Sequence, residues 1–274
     1  MCQIFGYTGS EYIEIRDVLR EFYSHSDLHP NGWGLALLDG NQANIEREVI
    51  SANKSAYLEG RLKAGISAPN VLAHIRYATI GNVELNNCHP FTGTDSYGRR
   101  WTLIHNGTIF EYQPMDEYVR RQKGETDSER ILLYLIDRIN AAAKEKNKEL
   151  TDSERFAVVE ELISDIAPGN KLNLLIFDGE LLYAHTNLSG SLHYYQGKCA
   201  TLFSTEPLVK SSVFYGGGHP REKRFCIDDW QEVPVTTLLA YKGADLIHSG
   251  KPHGHEYHED PEAIKHLYLA YSNL

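Results

Sequence analysis

The sequence predicts an α+β fold in a single main domain. Strand-like runs cluster at the two ends of the chain around a helical middle, and strand and helix do not alternate as a doubly wound parallel fold requires. No internal repeat or linker-like stretch divides the 274 residues, a length suited to one large core.

Short runs rich in β-branched and aromatic residues predict strands over 2–7, 34–38, 71–77, 101–104, 172–177, 180–184 and 235–241. Helical spacing appears in Ile15, Val18, Leu19 and Phe22, in Ile131, Leu132, Leu135, Ile136 and Ile139, and in Phe156, Val159, Leu162, Ile163 and Ile166. Thr126-Asp127-Ser128-Glu129-Arg130 and Thr151-Asp152-Ser153-Glu154-Arg155 repeat one pentapeptide, and each fits a capping box that opens a helix. The polar stretch 142–148 is expected to join two helices. Residues 249–255 read as a loop, followed by a last helix capped by Asp260 with Pro261 at its first position. The division expected is therefore a body over 2–248 and a C-terminal loop and helix over 249–274.

With 37 acidic against 27 basic residues, the formal charge of −10 repels a phosphate backbone, so nucleic acid is not an expected partner. No apolar run approaches a membrane span, and the first residues lack the pattern of a secretory signal, which predicts a cytoplasmic protein. Four scattered cysteines, with no C-x-x-C pair, predict reduced thiols. Three N-x-[ST] triplets are then no glycosylation sites.

Cys2 stands where removal of the initiator methionine would make it the first residue. Its α-amino group, with a reference pKa of about 7.7–8.0, could then deprotonate its own thiol; alternatively, the residue packs as a small hydrophobe. Asn106-Gly107, between apolar runs, fits a hairpin turn or an oxyanion hole made by the Asn106 amide and the Gly107 N–H. Arg76, at the end of an apolar strand with Thr79 nearby, fits an internal ion pair or a bidentate clamp on a substrate carboxylate. His89 reads either as structural or as part of a site. Asp127 either complements a helix N-terminus or accepts a substrate ammonium, and on local sequence Asp152 qualifies equally. His253, His255 and His258 with Glu256 crowd one segment, but their spacing matches no familiar metal site.

Six segments stand in one order: Cys2, His29-Pro30-Asn31-Gly32-Trp33-Gly34, His74-Ile75-Arg76-Tyr77-Ala78-Thr79, Cys88-His89-Pro90-Phe91, His105-Asn106-Gly107 and Thr126-Asp127-Ser128-Glu129. In this the chain resembles the class II glutamine amidotransferases. Ser204-Thr205-Glu206-Pro207-Leu208 is similar to the stand-alone branch, and the resemblance covers roughly four-fifths of the chain. It implies an N-terminal nucleophile hydrolase fold, a four-layer αββα sandwich, and no cofactor or metal. It assigns Cys2 as nucleophile with its own amine as base, Asn106 and Gly107 as oxyanion hole, Arg76 as carboxylate clamp, Asp127 as contact to the substrate α-amino group, and Thr79 and His89 as supporting positions lining the pocket. Asp127 is chosen over Asp152 because it follows the Asn-Gly pair at a family-like interval. Ile80 stands where several members carry histidine, which removes one polar contact.

The expected reaction is cleavage of the γ-amide of glutamine or of a related γ-glutamyl compound. Too few residues follow the match for a synthase domain, so ammonia is expected to pass to a partner subunit or to be released. The alternatives are a γ-glutamyl peptide or conjugate hydrolase and a non-catalytic interaction subunit that keeps the fold.

Overall fold

The computed structural model describes residues 2–10, 12–110, 112–215 and 221–259. The chain forms, in order, β1 (Gln3–Gly9), α1 (Arg16–Ser24), β2 (Trp33–Asp39), β3 (Gln42–Glu48), α2 (Ala56–Ala64), β4 (Asn70–Ile75), β5 (Phe91–Thr94), β6 (Arg100–His105), α3 (Asp127–Lys146) and α4 (Asp152–Ile166). There follow β7 (Asn173–Phe177), β8 (Leu182–Thr186), β9 (His193–Gln196), β10 (Ala200–Ser204), β11 (Ser212–Tyr215), β12 (Arg221–Arg224), β13 (Gln231–Glu232), β14 (Leu239–Lys242) and β15 (Asp245–Ser249). Two antiparallel sheets result, ordered β13-β9-β10-β1-β4-β2-β3 and β15-β14-β8-β7-β6-β5; β11 and β12 pair separately.

Successive side chains of a strand point to opposite faces, and here both faces of the central strands of both sheets are buried. From the first sheet Phe5, Tyr7, Trp33, Leu35, Val71 and Ala73 pack outward with Val18, Leu19 and Phe22 of α1 and with Leu58 and Leu62 of α2. Ile4, Ala36, Leu38 and Leu72 point inward and meet Ile104, Leu175, Phe177, Leu182 and Tyr241 of the second sheet. The outer face of that sheet, with Trp101, Leu103, Leu174, Ile176 and Tyr183, is covered by the apolar stripes of α3 and α4. The three apolar layers define the αββα sandwich. They also explain why the strands read as continuous apolar runs rather than as alternating ones.

Several boundaries differ from the sequence-based expectation. Of 235–241 only the end is strand, because Thr236 turns the chain with a φ of 61°. The strand expected over 180–184 runs instead from Leu182 to Thr186, after a turn at Gly179. Residues 142–146 continue α3 instead of linking two helices: they are good helix formers, and the helix ends at Asn147 in the left-handed region. Polar β3, central β10 and the short α2 were not anticipated. Residues 251–259 lie on the body without regular secondary structure, held by backbone bonds from His253 to Thr236 and from Tyr257 to Asn187, whereas the helix expected from Asp260 lies outside the described residues. No helix among the described residues is long and apolar enough to cross a membrane.

Candidate active site

One end of the sandwich opens into a cavity of about 930 Å³. Register explains who meets there. Gln3 pairs with Ile75, so the preceding Cys2 lies beside Arg76 and Tyr77, just past the end of β4. On the other flank of β1, Ile4 and Thr205 exchange hydrogen bonds, which brings the end of β10 to the same rim. From the second sheet come Asn106, just past β6, and Lys171 and Asn173 where β7 begins.

The Cys2 thiol is part-buried in this cavity. It donates to the Tyr77 carbonyl and accepts from the Tyr77 N–H, both at 3.3 Å. Burial pushes its pKa up, opposed by the Tyr77 N–H and by the charge of Arg76, while Asp127 adds to the rise. The resting thiol therefore holds its proton, and a base is needed to remove it.

Asn106-Gly107 is not a hairpin turn. The chain continues alongside the start of β7, with Asn106 N–H bonded to Asn173 O and a two-bond bridge between Thr108 and Lys171. The Asn106 side-chain amide lines the cavity and makes no hydrogen bond among the described residues, and the Gly107 N–H likewise has no partner there. Glycine is required at 107, since a Cβ would sit 2.0 Å from the Lys171 carbonyl oxygen and 2.3 Å from His105 Nε2. Asn106 thus presents an unengaged amide to the cavity that holds the Cys2 thiol, and the Gly107 N–H follows it along the chain.

Arg76 is buried, but neither an internal ion pair nor an open clamp describes it in this state. Its guanidinium donates to the carbonyls of Ile80, Gly81 and Asn82, using three of its five N–H groups. That loop is tied further by Glu125, which accepts from Asn82 and Asn87. Asp127 and Asp152, equivalent in local sequence, separate here. Asp127 is buried and accepts from the Ile109 N–H at 2.7 Å and from the Ser128 N–H at 2.9 Å, which holds the segment after the Asn-Gly pair against the start of α3. Asp152 lies apart and pairs with His248. Both Thr126 and Thr151 cap their helices, but only Glu154 completes the box; Glu129 turns to the N–H groups of Lys123 and Gly124.

Arg76, Thr79, His89 and Asp127 are not on the cavity wall. His89 is buried, stacked on His74 at 4.1 Å, and its carbonyl occupies the space a side chain at Gly34 would need. Thr79 is half-buried in the loop after Arg76. Arg76 and Asp127 stay close enough for their charges to act on the thiol.

Sequence reasoning missed Tyr77, whose backbone holds the thiol, and Asn31, whose Oδ1 accepts from the Ala78 N–H and fastens the strand end. It also missed Lys171, Asn173 and the arrival of residues 256–259 at the cavity rim. Polar Lys171 and Asn173 flanking the first residue of an apolar run were the available signal. Among the described residues no group of three or more His, Cys, Asp or Glu side chains is placed to hold a metal ion; His253 instead approaches His185, with Nε2 atoms 3.0 Å apart.

The model of the class II glutamine amidotransferases matches residues 1–200, and the chain belongs to that family. An uncharacterized protein of Methanocaldococcus jannaschii is 28% identical over 263 residues, covering 92% of this chain and 72% of its own length. Among solved structures, a glutamine aminotransferase class-II domain protein of Silicibacter pomeroyi superposes over 92% of this chain and 99% of its own, with a TM-score of 0.56 and 20% identity. The glutamine phosphoribosylpyrophosphate amidotransferase of B. subtilis shares the fold over 91% of this chain, with a TM-score of 0.62 and 16% identity. This chain matches only 49% of that enzyme's length.

Proposed function

We propose that the protein is an amidohydrolase that cleaves the γ-amide of glutamine or of a γ-glutamyl compound through a thioester on Cys2, after removal of Met1. The observation that carries this reading is the Cys2 thiol in one cavity with the unengaged Asn106 amide, and the Gly107 N–H next along the chain. The freed α-amine takes the thiol proton, which burial would otherwise retain. Sulfur attacks the γ-carbonyl, Asn106 and Gly107 hold the oxyanion, and the C–N bond breaks as the ammonium gives its proton to the leaving nitrogen. Water then attacks the thioester, the amine receives its proton, and glutamate leaves as the thiol is restored. Arg76 and Asp127, off the cavity wall but close enough for their charges to act on the thiol, are assigned the charged ends of the glutamyl unit, while Thr79 and His89 support the loop and strand that carry them. Ammonia, when it is the product, is released or taken by a partner subunit.

Trapping with a glutamine-like diazoketone, followed by peptide mapping, tests the assignment. Label on Cys2, with Cys2→Ala lacking label and turnover, is expected. Label elsewhere, or turnover by Cys2→Ala, overturns it. Intact mass separates the rival interaction subunit, which predicts Met1 retained in the cellular protein.

A further inference from the structure

The cavity wall beside the Asn106-Gly107 segment carries a cation that cleavage of a simple amide does not use. The bridge to Thr108 (2.9 and 3.0 Å) fixes the Lys171 backbone next to the two idle donors. Lys171 and Asn173, two residues apart along extended chain, both reach the cavity. The Lys171 side chain is only 5% exposed, and its Nζ lies 2.7 Å from Glu259 Oε1. Asn173 is fully buried; its Oδ1 accepts from the hydroxyls of Thr186 and Ser191, while its Nδ2 has no partner among the described residues.

An ammonium nearly withdrawn from water needs a counter-charge. Here one counter-charge, Glu259, comes from a strap 88 residues away in sequence. Residues 251–259 are laid on the body by backbone bonds from His253 to Thr236 and from Tyr257 to Asn187, and the Tyr257 ring stacks on Phe110 at 5.9 Å and 9°. The Glu259 side chain is itself 42% exposed. Exchanging it for another carboxylate would thus leave no charge stranded.

We propose that Lys171, with the idle Asn173 amide beside it, is a recognition subsite for a carboxylate on the leaving group, so that the substrate is a γ-glutamyl amino acid or short peptide whose carboxylate displaces Glu259. The subsite deepens the amidohydrolase reading and rests on it for the position of the scissile bond. The step is unchanged: the leaving amino acid's nitrogen receives the Cys2 ammonium proton. Glu206 and Glu256 also line the cavity, which makes a cationic leaving group the rival chemistry.

Three probes decide: γ-glutamylglycine, γ-glutamyl methylamide and γ-glutamyl ethylenediamine, with anionic, neutral and cationic leaving groups. Turnover is measured for the wild type, Lys171→Met, Lys171→Arg and Glu259→Gln, and binding by calorimetry in each on a Cys2→Ala background. The wild type is expected to favour γ-glutamylglycine over the methylamide by about tenfold. Lys171→Met should erase that ratio and Lys171→Arg should restore most of it. Glu259→Gln should raise it about threefold through KM, since a competing carboxylate is gone. A ratio indifferent to Lys171→Met, or a preference for the cationic probe, overturns the subsite. Selective binding without turnover refutes the amidohydrolase reading and leaves the subsite standing; turnover without the Lys171-dependent ratio does the reverse.

Discussion

At Cys2 two demands conflict: the sulfur must meet substrate in the cavity as a thiolate, but burial raises its pKa, so the thiol needs a base to ionise. The neighbouring donors face no such conflict, because they are neutral and already lack partners. Asn106→Ala is therefore expected to lower kcat by about 10²–10³-fold with little change in KM, as loss of one oxyanion donor does. Steady-state kinetics on glutamine check this, and a change confined to KM contradicts it. Gly107→Ala should fail differently. Its methyl meets the Lys171 carbonyl, a backbone atom that cannot rotate away, at 2.0 Å, and a loss of about 3 kcal/mol should appear as a lowered urea midpoint. An unchanged midpoint would show that the two strands can part there.

Among the elements, α3 and α4 open on the same five residues yet do different work. Both threonines accept from the N–H three residues on, so Thr126→Ala and Thr151→Ala should each cost about 1 kcal/mol of stability. Only the first stands next to Asp127, whose carboxylate ties Ile109, two residues past Gly107, to the helix start. Thr126→Ala is therefore expected to raise KM for glutamine, while Thr151→Ala leaves it unchanged. Equal kinetics in the two variants would remove α3 from the site. Leu175, fully buried between the sheets, tests the inner layer: Leu175→Ala should cost about 2–5 kcal/mol by denaturant unfolding.

For the whole molecule, the consequence of two buried sheets is a set of histidines with no access to water. His74 and His185 are pushed down to about 3 by burial, and His89 and His105 shift the same way for the same reason. Between the ordinary histidine value near 6.5 and about 3, the unfolded chain binds protons that the folded chain refuses. The stability these groups contribute is thus complete above about pH 6.5 and is lost as pH falls toward 3. Each of His74 and His185 adds a slope of about 1.4 kcal/mol per pH unit within that window. Urea midpoints at pH 7, 6 and 5 should fall steeply, and a flat profile would mean that these side chains reach solvent.

How much of this was legible in the chain depends on the range of the interaction. The apolar spacing of 131–139 and 156–166 encodes one helical face each, and the outer helices form accordingly. The class II pattern was legible because its pieces are short and ordered, and each is a local chemical unit. Polar β3 was not, since an exposed edge strand is held by its ladder to β2 rather than by apolar burial, and neither was central β10, which is placed by pairing with β1 from the far end of the chain. The roles of Arg76 and of the two aspartates were equally hidden. Arg76 takes the carbonyls its own loop presents, and Asp127 is buried beside Ile109 while Asp152 pairs with His248. Local sequence by itself determined the fold class, the family and the identity of the nucleophile candidate. Only the tertiary structure decided that Asp127 meets Ile109 while Asp152 meets His248, and that Lys171 meets Glu259. Those are contacts between distant segments, and their energies depend on burial and register that no short stretch of chain encodes.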